Sequence, residues 1–191
     1  LELAEFLEDH SKVEKVYYPG LSSSPYKSLA DSLFKRKLYG GVLSFRVRGG
    51  QREALDVLVG ELESKRITSI IGGRRVGKTT MMYQLVAHLI DREIEPKRIF
   101  YFPADDPAIK SLAGSIDDVI REYFSRILGQ NPRKTMTYIL IDEVHHAKDW
   151  EAWLKKYHDM GYPIKFIVSS SSATHLLKRS SDSLVGRISE I

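Results

Sequence analysis

The segment Gly72-Gly73-Arg74-Arg75-Val76-Gly77-Lys78-Thr79 constrains this chain more than any other feature, because it meets every fixed position of the pattern G-x-x-x-x-G-K-[ST]. The pattern carries weight only between a strand and a helix, and that context is present. An apolar run, Ile67–Ile71, precedes the loop, and a helical pattern with Met81, Leu85, Val86 and Leu89 follows it. Glycines let such a loop turn its backbone N–H groups inward, where the helix N-terminus adds positive potential for a polyphosphate. In this setting Lys78 reaches the β- and γ-phosphates, the Thr79 hydroxyl ligates magnesium, and Thr80 adds a phosphate contact. The bland alternative is a glycine turn with a solvated lysine.

Downstream the pattern is regular. Apolar runs at 99–102, 138–141 and 164–168 alternate with helical spacing at 79–90, 116–128 and 150–157. Strands alternating with helices predict an α/β fold with a parallel sheet covered on both faces. Upstream, a helix is expected at 52–64. Before it come a helix at 1–10, a short strand at 13–17, a helix at 26–36 and a strand at 42–47, a small α+β segment. Gly49-Gly50 is the best linker candidate, which divides the chain into residues 1–50 and 51–191.

Tyr138-Ile139-Leu140-Ile141 ends in Asp142-Glu143. A strand that delivers two carboxylates beside a phosphate loop supplies what phosphoryl transfer needs. Asp142 holds magnesium, directly or through water, and Glu143 orients and polarises the attacking water. The run 164–168 ends in Ser169-Ser170-Ser171-Ser172, and two readings stay open there. A serine senses the γ-phosphate from the sheet's carboxyl edge, or it caps a helix over 173–178. Arg187, after Gly186, either serves a nucleotide in this chain or a neighbouring one, or is an ordinary surface arginine. His145, His146 and His158 lack zinc-ligand spacing, so a structural or nucleotide-sensing role is favoured over metal binding. Asp105-Asp106-Pro107 is a nucleotide-proximal loop or a plain turn, and Trp150 and Trp153 are read as core.

Composition removes several classes. The chain has no cysteine, so disulfides, thiolate zinc sites and cysteine nucleophiles are excluded. A net charge of +4 is shared between the two sides of Gly50 and falls short of a clustered basic face, so nucleic-acid binding by this chain alone is not supported. The apolar runs are too short to span a bilayer and the N-terminus lacks a signal-peptide design, which together point to a cytoplasmic protein.

From about Arg52 to Ile191 the chain resembles the archaeal-type P-loop ATPases, a branch of the AAA+/STAND assemblage. The resemblance is carried by Arg52-Glu53 with Leu55, Ile70-Ile71-Gly72 with Arg74 to Thr80, Leu140 to His145, Asp149-Trp150, Val168-Ser169 with Ser171-Ser172-Ala173, and Gly186-Arg187. It implies a P-loop core binding ATP and Mg2+, with Gly72 to Thr80 as Walker A, Asp142 and Glu143 in Walker B, a sensor within Ser169–Ser172, and Arg187 as a nucleotide-responsive arginine. Such ATPases usually carry proline at Gly73 and glycine at Ser170, and Gly73 makes the loop costlier to order. Residues 3–50, through Val13 to Leu21, Pro25 and Gly40 to Phe45, are similar to the C-terminal domain of pyridoxal-phosphate enzymes of the cystathionine synthase/lyase group. No catalytic residue comes with that segment, so pyridoxal phosphate binding is not expected.

The expectation is an ATP-Mg-binding core that hydrolyses ATP, with Glu143, Lys78 and Arg187 catalytic, Gly72 to Thr80 and Ser169 on the nucleotide, and Thr79 and Asp142 on the metal. The alternatives are a nucleotide-dependent switch without appreciable turnover and a non-catalytic relative of the pyridoxal enzymes. A protein partner or homo-oligomer is expected to accompany the nucleotide. Two partial families in one chain, no initiator methionine, and an ATPase part ending at Ile191 where a fifth strand is due suggest a joined or excerpted product lacking lid and effector domains, a natural fusion being the alternative.

Overall fold

The computed structural model describes residues 49–107, 115–128, 134–171 and 184–191. The elements expected over 1–48, and the helix expected over 173–178, lie outside the described residues. The chain enters through α1 (Gly49–Gly60) and a 3-10 turn, Glu61–Glu63. It then runs β1 (Ile67–Ile71), α2 (Lys78–Asp91), β2 (Ile99–Pro103), α3 (Ile116–Tyr123), β3 (Thr137–Asp142), α4 (Trp150–Asp159), β4 (Ile164–Ser170) and β5 (Ile188–Glu190). The Gly49-Gly50 pair, expected as a linker, forms the first turn of α1. The single helix expected over 116–128 is α3 followed by a π-helical turn, Phe124–Leu128. The fifth strand is present at 188–190.

The sheet has five parallel strands in the order β2-β3-β4-β1-β5. β1 to β4 are buried along almost their whole length and are rich in isoleucine, phenylalanine and tyrosine. Alternation splits each strand between two cores. Ile99, Tyr101, Leu140, Ile167 and Ile70 meet Leu58, Leu62, Met82, Leu85 and Leu89 of the α1/α2 layer. Phe100, Phe102, Ile139, Ile141, Phe166 and Val168 meet Ile120, Tyr123, Trp150, Leu154 and Tyr157 of the α3/α4 layer. Ser115 caps α3 by accepting the Asp118 N–H at 3.3 Å, and Asp117 and Asp118 sit in the first turn where the helix dipole favours them. Trp150 is core as expected, whereas Trp153 is half-buried beneath the Lys156 ammonium, 4.4 Å from the ring centre.

The topology gathers chemistry at one edge. β4 lies between β1 and β3, so the carboxyl ends of these three strands open side by side. The loop after β1, the acids after β3 and the serines after β4 therefore converge, at the edge where sheets of this kind bind ligands. No helix among the described residues is long and apolar enough to cross a membrane.

Candidate functional site

The glycine-rich loop owes its shape to two positions. A Cβ at Gly72 would stand 2.9 Å from Val76 Cγ2, closer than real Cβ contacts. Gly77 takes φ 102°, a left-handed conformation open to glycine, and immediately precedes α2. No side chain caps that helix, so its first N–H groups remain available to an anion. Lys78 is 6% exposed and its ammonium donates to the Gly72 and Gly73 carbonyls at 2.9 and 2.8 Å. It also lies 3.9 Å from Glu143 Oε1.

The loop is joined to the third strand by the Thr79 hydroxyl, which donates to Asp142 Oδ2 at 2.6 Å. Asp142 is 3% exposed and receives two further hydroxyls. Tyr101 donates to Oδ2 at 3.1 Å, and Ser169 donates to Oδ1. Register explains both. Tyr101 pairs with Leu140 and sits diagonally from Asp142 on one sheet face, while Ile141 pairs with Val168 and brings Ser169 beside Asp142.

Glu143 leaves the sheet in the left-handed region, at φ 49°. Its N–H donates to the Ser169 hydroxyl at 2.9 Å, and its Oε2 accepts the Ser171 N–H at 3.1 Å. His145 Nδ1 stands 3.4 Å from that Oε2 and 3.2 Å from the Ser170 hydroxyl. Ser169 lies within β4. It is a fully buried residue whose hydroxyl is committed to both neighbouring acids.

Most of the expected residues come together, from Gly72 to Thr80 with Asp142, Glu143 and Ser169. Arg187 does not join them within this chain. Its carbonyl accepts the Ile67 N–H at 2.7 Å, at the start of β1, so it stands at the opposite, amino edge of the sheet. Its guanidinium grips Asp159 at 2.6 and 3.2 Å and holds that carboxyl below its usual range. The turn at Asp105-Asp106 lies at the carboxyl edge, where the Ala104 N–H donates to the Asp142 carbonyl at 2.8 Å.

Two residues escaped sequence reasoning. Tyr101 and Tyr83 stand in a T-shaped pair, 5.0 Å between centroids, with hydroxyls 3.3 Å apart. Burial, more than any neighbour, pushes the Tyr83 phenol up to about 12 and Tyr101 higher still. The alternation Ile99/Tyr101 marks a core-facing position, but only strand register identifies its partner. Among the described residues no group of three or more His, Asp or Glu side chains could hold a metal ion. Thr79 and Asp142 remain the oxygen donors beside the loop.

Comparison with known proteins agrees with this architecture. A protein of Methanocaldococcus jannaschii, described only as uncharacterised, is 29% identical over 131 residues, covering 69% of this chain and 26% of that relative. The chain thus spans about a quarter of the archaeal protein's length. The N-terminal part differs in kinship. Residues 1–82 match the Cys/Met metabolism PLP-dependent enzymes, and O-acetyl-L-homoserine sulfhydrylase of Leptospira meyeri is 41% identical over 54 residues, 28% of this chain and 12% of that enzyme. That match runs past residue 50 and overlaps the loop. In fold, the chain is similar to a DNA replication initiation factor (TM-score 0.52, 22% identity, 83% of this chain and 50% of that one). It is also similar to Hsp104 of S. cerevisiae in its ADP complex (TM-score 0.51, 22% identity, 76% and 22%). The AAA domain family matches residues 64–191, two thirds of the sequence and the whole of the sheet, and the chain belongs to that family.

Proposed function

We propose that the loop Gly72 to Thr80 binds ATP with Mg2+ and that the site hydrolyses the terminal phosphate. The observation that carries this reading is the 2.6 Å hydrogen bond from Thr79 to Asp142, which couples the phosphate loop to the strand-end acids. The residues fit the ligand pair. Lys78 satisfies itself on two loop carbonyls and can exchange them for phosphate oxygens, while Thr79 and Asp142 supply the hard oxygen donors that suit magnesium. Magnesium, when bound, neutralises charge on the phosphates.

In the reaction Glu143 accepts a proton from water as the water oxygen attacks the γ-phosphorus. The bond to the bridging oxygen breaks and ADP leaves with its electrons, while Lys78 steadies the developing charge. Arg187, at the amino edge, serves a nucleotide only from a neighbouring copy, which makes a homo-oligomer the working assembly. A second reading is a nucleotide switch with little turnover, favoured by one observation. The Glu143 carboxylate is already engaged by the Ser171 N–H at 3.1 Å.

Calorimetry with ATP and Mg2+, paired with phosphate release, tests both. Lys78→Ala is expected to lose binding, and Glu143→Gln to keep binding while turnover falls at least about a hundredfold. Tight binding by wild type with no turnover above the Glu143→Gln level supports the switch. If wild type does not bind ATP at all, both readings fail.

A further inference from the structure

We infer that Tyr101 is a positioning residue that aims the Asp142 carboxylate at the magnesium site, with Tyr83 holding Tyr101 in turn. The inference deepens the proposed ATP-Mg function and rests on it.

Asp142 Oδ2 has room for two strong donors. One is the Thr79 hydroxyl at 2.6 Å and the other is the Tyr101 hydroxyl at 3.1 Å. Oδ1 is taken by Ser169. Three hydroxyls from three different elements thus fix the plane of one carboxylate. Thr79 stands in the first turn of α2, directly after the loop, whereas Tyr101 comes from β2 and is 2% exposed. It therefore holds the acid in place when Thr79 turns its oxygen to a cation.

Tyr83 closes the arrangement. It stands on α2, the helix that the loop opens, and donates to the Tyr101 hydroxyl at 3.3 Å. A chain of donors, Tyr83 to Tyr101 to Asp142, polarises each successive bond. It also ties the helix behind the loop to the acid in front of it. An ordinary buried tyrosine needs any acceptor. This one uses the oxygen that Thr79 also uses.

Partners that orient a metal-binding group typically change metal affinity about tenfold or more when lost. The test compares the wild-type chain, Tyr101→Phe and Tyr83→Phe by titrating ATP with and without Mg2+, alongside a Mg2+ titration at fixed ATP. Circular dichroism and tryptophan fluorescence confirm that each variant is folded. In Tyr101→Phe the Mg2+ half-saturation is expected to rise about tenfold, with Mg2+-free ATP affinity unchanged. Tyr83→Phe is expected to move the same quantity by less. A purely structural phenol would lower stability and leave the Mg2+ dependence alone, which overturns the inference. So does a wild type whose ATP affinity ignores Mg2+. That last result also removes the ATP-Mg reading, whereas a Mg2+-dependent wild type with an unchanged Tyr101→Phe removes only the role of Tyr101.

Discussion

Ser169→Ala separates a residue that braces the acids from one that senses the nucleotide. The serine is fully buried, donates to Asp142 Oδ1 and accepts the Glu143 N–H at 2.9 Å. A hydrogen bond to a charged group contributes about 1.5–3 kcal/mol, and leaving a peptide N–H without its partner costs about 1 kcal/mol. The variant should therefore lose about 2.5–4 kcal/mol in the nucleotide-free protein, a large share of the roughly 5–15 kcal/mol typical of a domain. Urea unfolding measures this directly, with the buried Trp150 as fluorescent reporter and the urea dependence unchanged from wild type. A loss below about 0.5 kcal/mol, joined to weaker ATP binding, would refute the reasoning, because the hydroxyl would then serve the nucleotide instead of the carboxylates. A thermodynamic cycle with Asp142→Ala adds a second check. Coupling of about 1–2 kcal/mol is expected for groups in contact, and additivity would mean that the bond carries no energy.

Lys165 offers a pH test far from the site. It is 1% exposed, donates to the Ser64 and Arg66 carbonyls at 3.0 and 2.7 Å, and burial lowers its ammonium to about 8. Above that pH the native state releases a proton that the unfolded chain keeps, so stability rises with pH, by about 1–2 kcal/mol between about pH 8 and 9.5. Lys165→Met should flatten this rise in urea titrations, and an identical slope in both proteins would exclude the lysine as its source. Near pH 10 the raised tyrosines reverse the sign, since the unfolded chain then releases protons that Tyr83 retains toward 12. For Arg187→Ala, melting temperature and ATP affinity should stay close to wild type, because its partner Asp159 is an exposed carboxylate. Turnover per chain should rise with protein concentration in wild type and not in the variant; a concentration-independent wild type would contradict a role in trans.

The loop and the strand-end acids were legible in the sequence because their signals are local. Gly72, Gly77, Lys78 and Thr79 lie within eight residues, and Asp142-Glu143 follows an apolar run. The four strands expected after Gly50 match β1 to β4 for the same reason: apolar runs between helical patterns need no distant partner to be recognised. Ambiguous local chemistry left other features unmarked. Gly49-Gly50 looks like a break by composition, yet it is the first turn of α1. The helical spacing over 116–128 does not reveal the π-helical turn at Phe124–Leu128.

The sequence by itself determined that a glycine-rich loop lies between a strand and a helix, and that two acids end a later strand. Only the tertiary structure decided which groups those acids meet. Placing β4 between β1 and β3 puts Ser169 on Asp142, and pairing β2 with β3 puts Tyr101 on the same carboxylate. Pairing β5 alongside β1 sends Arg187 to the opposite edge. The physical reason is that side-chain periodicity is written in neighbouring residues. Strand order and register are set instead by crossovers and packing between residues far apart in the chain.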